Sequence, residues 1–395
     1  MSQDSEQMSQ AVTMDIERIQ TSTITDEDIQ RARELIGVWL RRDVHWPATY
    51  EPISPHDIRR WAMYSVGDDN PLWSSMEYGR RTIWGSMIAP PTFLYTIDST
   101  IVAPGFGGIQ WIHGGNDWEF YDVIRPGDTI VARARLLDVI EKSGQHARRF
   151  VIQRGEVLYS NQYGKTIARA ECNILRVPRA RSGQGMQGFD GRKTMYHYSP
   201  EEIAEIDRAY QNEYRRGADT LYWEDVSVGS DLPAVPKGPL TLVDIVGFYA
   251  GRRNVYNVLK LAFAERRRHP ANVYVSPKRG IPVHPAAGHF DVEIAEEVGM
   301  PGAYDQGFMR VNWLGHLVTN WMGDQAFFKR LKVENRLPNL VGDMAWCRGR
   351  IVDKRVAEQE SLVDVEIWIE NQRGETVSRG MATVQLQSRD PKLNP

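Results

Sequence analysis

Within the eight residues from His284 to Asp291 the chain places two imidazoles and a carboxylate, His284, His289 and Asp291, enough titratable capacity to take up and deliver a proton near neutral pH. Histidines also occur as hydrogen-bonded core or surface residues, and His316, on the face of a later helical stretch, reads that way. Two imidazoles this close raise the question of a metal. No third or fourth ligand follows at zinc-like spacing, and there is no His-Glu-x-x-His helix. A second stretch, Gly67-Asp68-Asp69-Asn70-Pro71-Leu72-Trp73, brings Asp68 and Asn70 together; taken alone it is an Asp-Asn-Pro turn that caps the next helix. No Gly-Lys-Ser/Thr phosphate loop and no Gly-x-Gly-x-x-Gly after a strand is present, so nucleotide-dependent chemistry is not indicated. The two cysteines, Cys172 and Cys347, form no Cys-x-x-Cys pair and fit a reducing cytosol.

The elements that must hold these residues occur twice. Gly127-Asp128 followed by Arg133, Arg135 and Asp138 returns 215 residues later as Gly342-Asp343 followed by Arg348, Arg350 and Asp353. Gly164-x-Thr166-x-x-Arg169 returns as Gly374-x-Thr376-x-x-Arg379. Each copy alternates apolar and polar residues, the period of antiparallel strands with one buried face. Upstream of the second copy, Phe308, Val311, Leu314, Val318, Trp321 and Met322 recur at three- and four-residue steps and predict a helix over Gly307–Met322. The matching stretch of the first copy runs from Pro91 to about Val102, and both are expected as long central helices. Short helix, long helix and then three or more antiparallel strands is an α+β order, not that of a parallel sheet. Capped helices are expected after Thr25, with Asp28 at the third position, over about Asp57–Tyr64, and after Ser199, with Gly217 closing the last.

Across both halves, roughly residues 30–178 and 221–388, the sequence resembles the MaoC-like family of (R)-specific enoyl-CoA hydratases and acyl dehydratases. That family's motif reads Gly-Asp-x-Asn-Pro-x-His-x-Asp and its fold is the hotdog; the arrangement here resembles the fused double-hotdog type with an N-terminal FAS1-like dehydratase domain. Gly67-Asp68-x-Asn70-Pro71 fits the start of the motif, but Trp73 stands at the histidine and Ser75 at the second aspartate. In the second half His289-x-Asp291 fits the end, and His284 stands at the first aspartate. The resemblance implies addition of water to, or its loss from, an α,β-unsaturated acyl thioester. This chemistry needs proton transfer at two carbons and N–H donors for an enolate-like oxygen. The acid/base groups would be His289, His284 and Asp291, with Asp68 and Asn70 as the first-half alternative, aided by an imidazole from elsewhere such as His113. Backbone N–H groups at Gly307 would meet the thioester oxygen.

From Asp57 to Trp73 is 16 residues, but from Asp244 to His289 is 45, so the second half carries a 29-residue insertion. It is basic: it reads either as a solvated face or, through Arg252, Arg253, Arg266, Arg267, Lys278 and Arg279, as a clamp for coenzyme A phosphates. With 395 residues, 42% apolar and 25% charged, the chain is expected to fold as two domains. A loose tail, 1–24, precedes an N-terminal hotdog domain, 25–178; a linker and helix, 179–220, lead to a C-terminal one, 221–388. Each domain is expected as an antiparallel sheet around its own long helix, the two related by a pseudo-twofold. The net charge of −3 excludes a general polyanion binder, so neither nucleic acid nor membrane is expected as a partner. The expected protein is a cytoplasmic hydratase or dehydratase without metal or redox cofactor, coenzyme A entering as part of the substrate, in a homodimer or beside another hotdog chain. A silent acyl-CoA-binding subunit and a hotdog thioesterase remain as alternatives.

Overall fold

The computed structural model of the protein describes residues 23–41, 51–143, 149–178, 195–252, 256–269 and 273–393. The expected tail, 1–24, apart from its last two residues, and the glycine- and arginine-rich stretch 179–192 lie outside the described residues.

The alternating runs of the first half become β1 (Trp39–Arg41), β2 (Gln110–Phe120), β3 (Val131–Lys142), β4 (Phe150–Ser160) and β5 (Thr166–Val177). In the second half β6 (Val235–Lys237) is followed by a two-stranded hairpin, β7 (Tyr274–Val275) with β8 (Pro282–Val283). Then come β9 (Phe327–Asn335), β10 (Ala345–Ala357), β11 (Glu360–Asn371) and β12 (Thr376–Gln385). The repeat registers hold: Arg133 and Arg135 lie on β3 as Arg348 and Arg350 lie on β10, and Arg169 lies on β5 as Arg379 lies on β12.

All but the hairpin form one antiparallel sheet in the order β1-β3-β4-β5-β2-β9-β12-β11-β10-β6. Counted outward from the β2–β9 junction the two sides present corresponding strands, so the order is a palindrome of the repeat. The expectation of two separate sheets is thereby corrected. Each half alone would end in an unpaired strand, β2 or β9, and pairing the two satisfies their backbone groups. They meet from Gly115↔Glu334 to Glu119↔Arg330. A Cβ at Gly115 would lie 2.0 Å from the Val333 carbonyl oxygen, so the closeness of this junction requires glycine.

The helix over Gly307–Met322 forms as expected, and every one of its 16 residues is buried. It crosses strands of both halves and also packs on the segment Trp61–Val66. The second long helix, expected from Pro91 to about Val102, does not form. Its place is taken by a six-residue 3-10 helix, Pro91–Thr96. The reason is local: Thr96, Ile97, Thr100, Ile101 and Val102 are β-branched, and Asp98 bonds the Thr100 N–H at 2.7 Å, a turn that competes with the helix. Thr100 then takes a left-handed φ of 63°. Aromatic rings fill the remaining volume: Tyr95 packs edge-on to Trp118 at 5.1 Å and against Phe308 of the central helix at 5.3 Å.

The helices that start cleanly are those with reciprocal caps. Thr25 with Asp28, Ser54 with Asp57, Ser199 with Glu202 and Thr241 with Asp244 each close a capping box. The helix expected over Asp57–Tyr64 is Pro55–Arg60 running into a π-helical turn, Trp61–Val66, that ends on Gly67 at φ 70°. The Ser199 helix stops at Gln211, before Gly217. There the chain bends instead to the end of the central helix, and the Arg216 N–H donates to the Asn320 carbonyl at 2.9 Å.

Candidate active site

The π-helical turn and left-handed Gly67 deliver Asp68 into the interior, where its side chain is almost wholly buried. One oxygen accepts the Asn70 N–H at 2.9 Å; the other accepts Nε1 of Trp73 at 2.7 Å. Asn70 caps the short helix after it through the Leu72 N–H and donates from Nδ2 to Asp324 at 2.9 Å. Burial raises the Asp68 pKa to about 6, against the opposing pull of the Asn70 and Trp73 hydrogen bonds and of Lys237.

The imidazole beside Asp68 is His316 of the central helix, whose Nε2 lies 3.6 Å from Asp68 and 3.4 Å from Glu213. Lys237 Nζ donates to His316 Nδ1 at 2.7 Å and to the Val66 carbonyl at 3.0 Å. A buried lysine, histidine and two carboxylates thus lock the first-half motif to the second half's helix. Sequence reading took His316 for a core residue and did not foresee Lys237 or Glu213; they lie 79 and 103 positions from it, and spacing carries no signal over such separations. His113 is not part of this cluster.

Trp73 also forms part of the wall of a narrow apolar cavity of about 40 Å³, with Trp84, Leu94, Phe120, Met322 and Phe328 among its neighbours. Asp68 is not on that wall: the indole at the motif's histidine position occupies both the hydrogen bond and the space. Neither His284 nor His289 borders this cavity.

In the second half His284 precedes a 3-10 turn, Pro285–His289, and accepts the Ala286 N–H on Nδ1 at 3.1 Å. Its ring is exposed on one side and packs at 4.2 Å against Tyr256 on the other. His289 lies beneath Tyr304, ring to ring at 4.3 Å, with Nδ1 2.9 Å from the Tyr304 carbonyl oxygen. A carbonyl only accepts, so Nδ1 of His289 carries the proton and Nε2 is bare. For His284 the assignment is the reverse: Nδ1 accepts, and Nε2 carries the proton. Desolvation pushes His289 down to about 4, and a charge on His284 would lower it further, so the ring is neutral at pH 7.

Asp291 has a different place. It caps the helix Val292–Glu297 through the Glu293 and Ile294 N–H groups, and Arg279 grips it from outside at 2.6 Å. The Arg279 pairing lowers its pKa. In this arrangement Asp291 serves as a helix cap and an ion-pair partner.

The basic insertion is also divided. Arg279 is held by Asp291 and Glu293, and Arg252 turns toward the first half with Nη2 3.5 Å from the Tyr95 carbonyl. Arg266 and Arg267 sit on the helix Leu259–Arg268 over Phe263, and the Lys278 side chain is exposed. Arg253 lies outside the described residues. Gly307 opens the central helix as expected, but a Cβ there would lie 2.5 Å from His113 Nδ1 and 2.7 Å from Asn335 Nδ2. Side chains of this chain occupy that space.

Comparison with known proteins bears on the first half and on the whole fold. Residues 43–170 match the FAS1-like, dehydratase domain region. A UPF0336 protein of Streptomyces avermitilis is 25% identical over 120 residues, 28% of this chain and 78% of that one. A UPF0336 protein of Parafrankia is 25% identical over 130 residues, 30% and 79% of the two chains. Among solved structures, a MaoC-like dehydratase superposes with a TM-score of 0.61 at 16% identity, over 90% of this chain and 99% of that one. A MaoC-like dehydratase from Phytophthora capsici gives 0.50 at 12%, over 91% and 99%. The matched region therefore sits inside a fold shared along nearly the whole chain with MaoC-like dehydratases.

Proposed function

We propose that this protein adds water to, or removes it from, an α,β-unsaturated acyl-CoA thioester, and that the second half does the chemistry. The observation that carries the reading is the complementary pair of imidazoles, His289 with a bare Nε2 and His284 with a protonated one. The first suits taking a proton from water at the β-carbon, the second delivering one at the α-carbon. The start of the central helix, where Gln306 makes no side-chain cap, offers backbone N–H groups and the positive end of the helix dipole to the enolate-like oxygen. In the first half Trp73 shields Asp68, and the apolar cavity beside it suits substrate accommodation and not proton transfer. On this reading the chain comprises two units, 25–178 and 221–388, joined by 179–220, and works in the cytoplasm, as a homodimer or with another hotdog chain.

The test is to offer the protein a short 2-enoyl-CoA and follow both hydration of the double bond and release of free coenzyme A thiol. Hydration without thiol release supports the reading. Thiol release alone points to a thioesterase, and tight binding without either reaction to a silent subunit.

A further inference from the structure

We propose that the first half fixes the start of the second half's helix through His113 and Asn335, so that the β2–β9 junction is part of the working site. The inference rests on the reading above, in which the first peptides of that helix meet the thioester.

The geometry begins with a β-bulge. The register of β2 against β5 shifts between His113 and Gly115, and bulges of this kind re-aim a side chain. His113 is thereby directed across the junction to the helix start, where its ring lies 4.1 Å from that of Phe308. Asn335, the last residue of β9, donates from Nδ2 to His113 Nδ1 at 3.0 Å and to the Gly307 carbonyl at 3.2 Å. Its Oδ1 accepts Ser378 Oγ at 2.9 Å.

On the opposite side His113 Nε2 donates to Asn116 Oδ1 at 2.7 Å, and Asn116 donates to Thr100 and to the Glu171 carbonyl. Tyr95 OH donates to the same Asn116 oxygen at 2.7 Å. A continuous chain of bonds thus runs from the first-half core to the Gly307 peptide. Both nitrogens of His113 are used in it, so the ring has no lone pair left to act as a base. Burial pushes its pKa to about 3 and keeps it neutral, as the network requires.

Four other helices here are located by capping boxes, whereas the central helix, at Gln306, has none. Gly307 and Phe308 rest on His113 and Asn335, beside Tyr95 and the buried Arg310–Asp305 pair of the same turn. His113 and Asn335 are positioning residues: they act on the reaction through the Gly307 peptide.

The experiment uses the full chain. His113→Phe keeps a ring against Phe308 and removes both hydrogen bonds; His113→Gln retains a donor and an acceptor. With a 2-enoyl-CoA, His113→Phe is expected to lower kcat about 10–100-fold with KM within about twofold, the cost of displacing a group by an ångström or less, and His113→Gln to recover much of it. In hydrogen exchange, the amides of 309–311, which bond the carbonyls at the helix start, should lose protection in His113→Phe while those of 318–322 do not. Unchanged exchange at 309–311, or faster exchange with kcat unaltered, overturns the inference. If the wild type hydrates no enoyl thioester the functional reading fails, and the exchange comparison still decides whether the junction sets the helix start. Should His113→Phe not fold, His113→Gln and Asn335→Asp carry the same two measurements.

Discussion

On the proposed reading His289 and His284 divide the work by tautomer, and this makes the residue-scale predictions unequal. His289→Ala should reduce kcat for enoyl-CoA hydration by roughly 10²–10⁴, the range for loss of a general acid or base. His284→Ala should also be costly, whereas Asp68→Asn should leave most turnover, because Asp68 faces Trp73 and His316 and not the cavity. Steady-state kinetics of the three variants checks the ranking, and the reverse order would move the chemistry to the first half. Acid should act on His289 in a definite sense. Its folded pKa, about 4, is below the unfolded value near 6.5, so its contribution to stability is complete above 6.5 and is lost as pH falls toward 4. Asp68 runs the other way: its pKa of about 6 is raised, so its contribution is present below 3.8 and lost as pH rises through 6. Denaturant titrations between pH 4 and 6.5 should therefore show a weaker acid loss in His289→Gln and a stronger one in Asp68→Asn. The motif made Asp68, Asn70, His284 and His289 legible in the sequence. It could not show that Asp291 would be consumed by Arg279, because that ion pair forms only when the insertion folds back.

At the scale of elements, Asp291→Ala should cost about 1 kcal/mol of stability through loss of a helix cap, and Asp291→Asn, which still caps, should restore it with activity intact. Thermal unfolding with an activity assay separates this from a catalytic role. Arg266→Ala with Arg267→Ala should raise KM for an acyl-CoA and weaken its salt dependence if the exposed helix Leu259–Arg268 meets the coenzyme A phosphates. Such contacts are screened over about 8–10 Å at physiological salt. An unchanged KM across salt concentrations returns that helix to a solvated face. Periodicity located Gly307–Met322 because six apolar residues, Phe308, Val311, Leu314, Val318, Trp321 and Met322, recur on one helical period. It misplaced the first-half helix because the apolar residues of Pro91–Val102 do not by themselves distinguish a buried helix from buried irregular chain. There the β-branched run and Asp98 decided the outcome.

For the whole molecule, the 215-residue repeat anticipated the correspondence of strands but not their joining. Nothing in either copy announces that β2 will pair with β9, since an edge strand reads the same as any other until its neighbour arrives. Expressed apart, residues 23–178 and 195–393 should each be poorly soluble, and expressed together they should reassemble, because each exposes the strand the other covers. Size-exclusion chromatography of the separate and co-expressed halves tests this, and two independently soluble, folded halves would contradict it.

The two outer margins of the sheet differ sharply from its middle. β1 and β6 are three residues long, β6 carries Pro236, which lacks an N–H to donate, and Arg41 and Lys237 end the two strands. A ten-stranded open sheet would otherwise invite further copies to add at either end and grow into fibrils. Their shortness blunts both ends, and at β6 the proline adds to it, so the chain can use strand pairing to unite its own halves without becoming a template for aggregation.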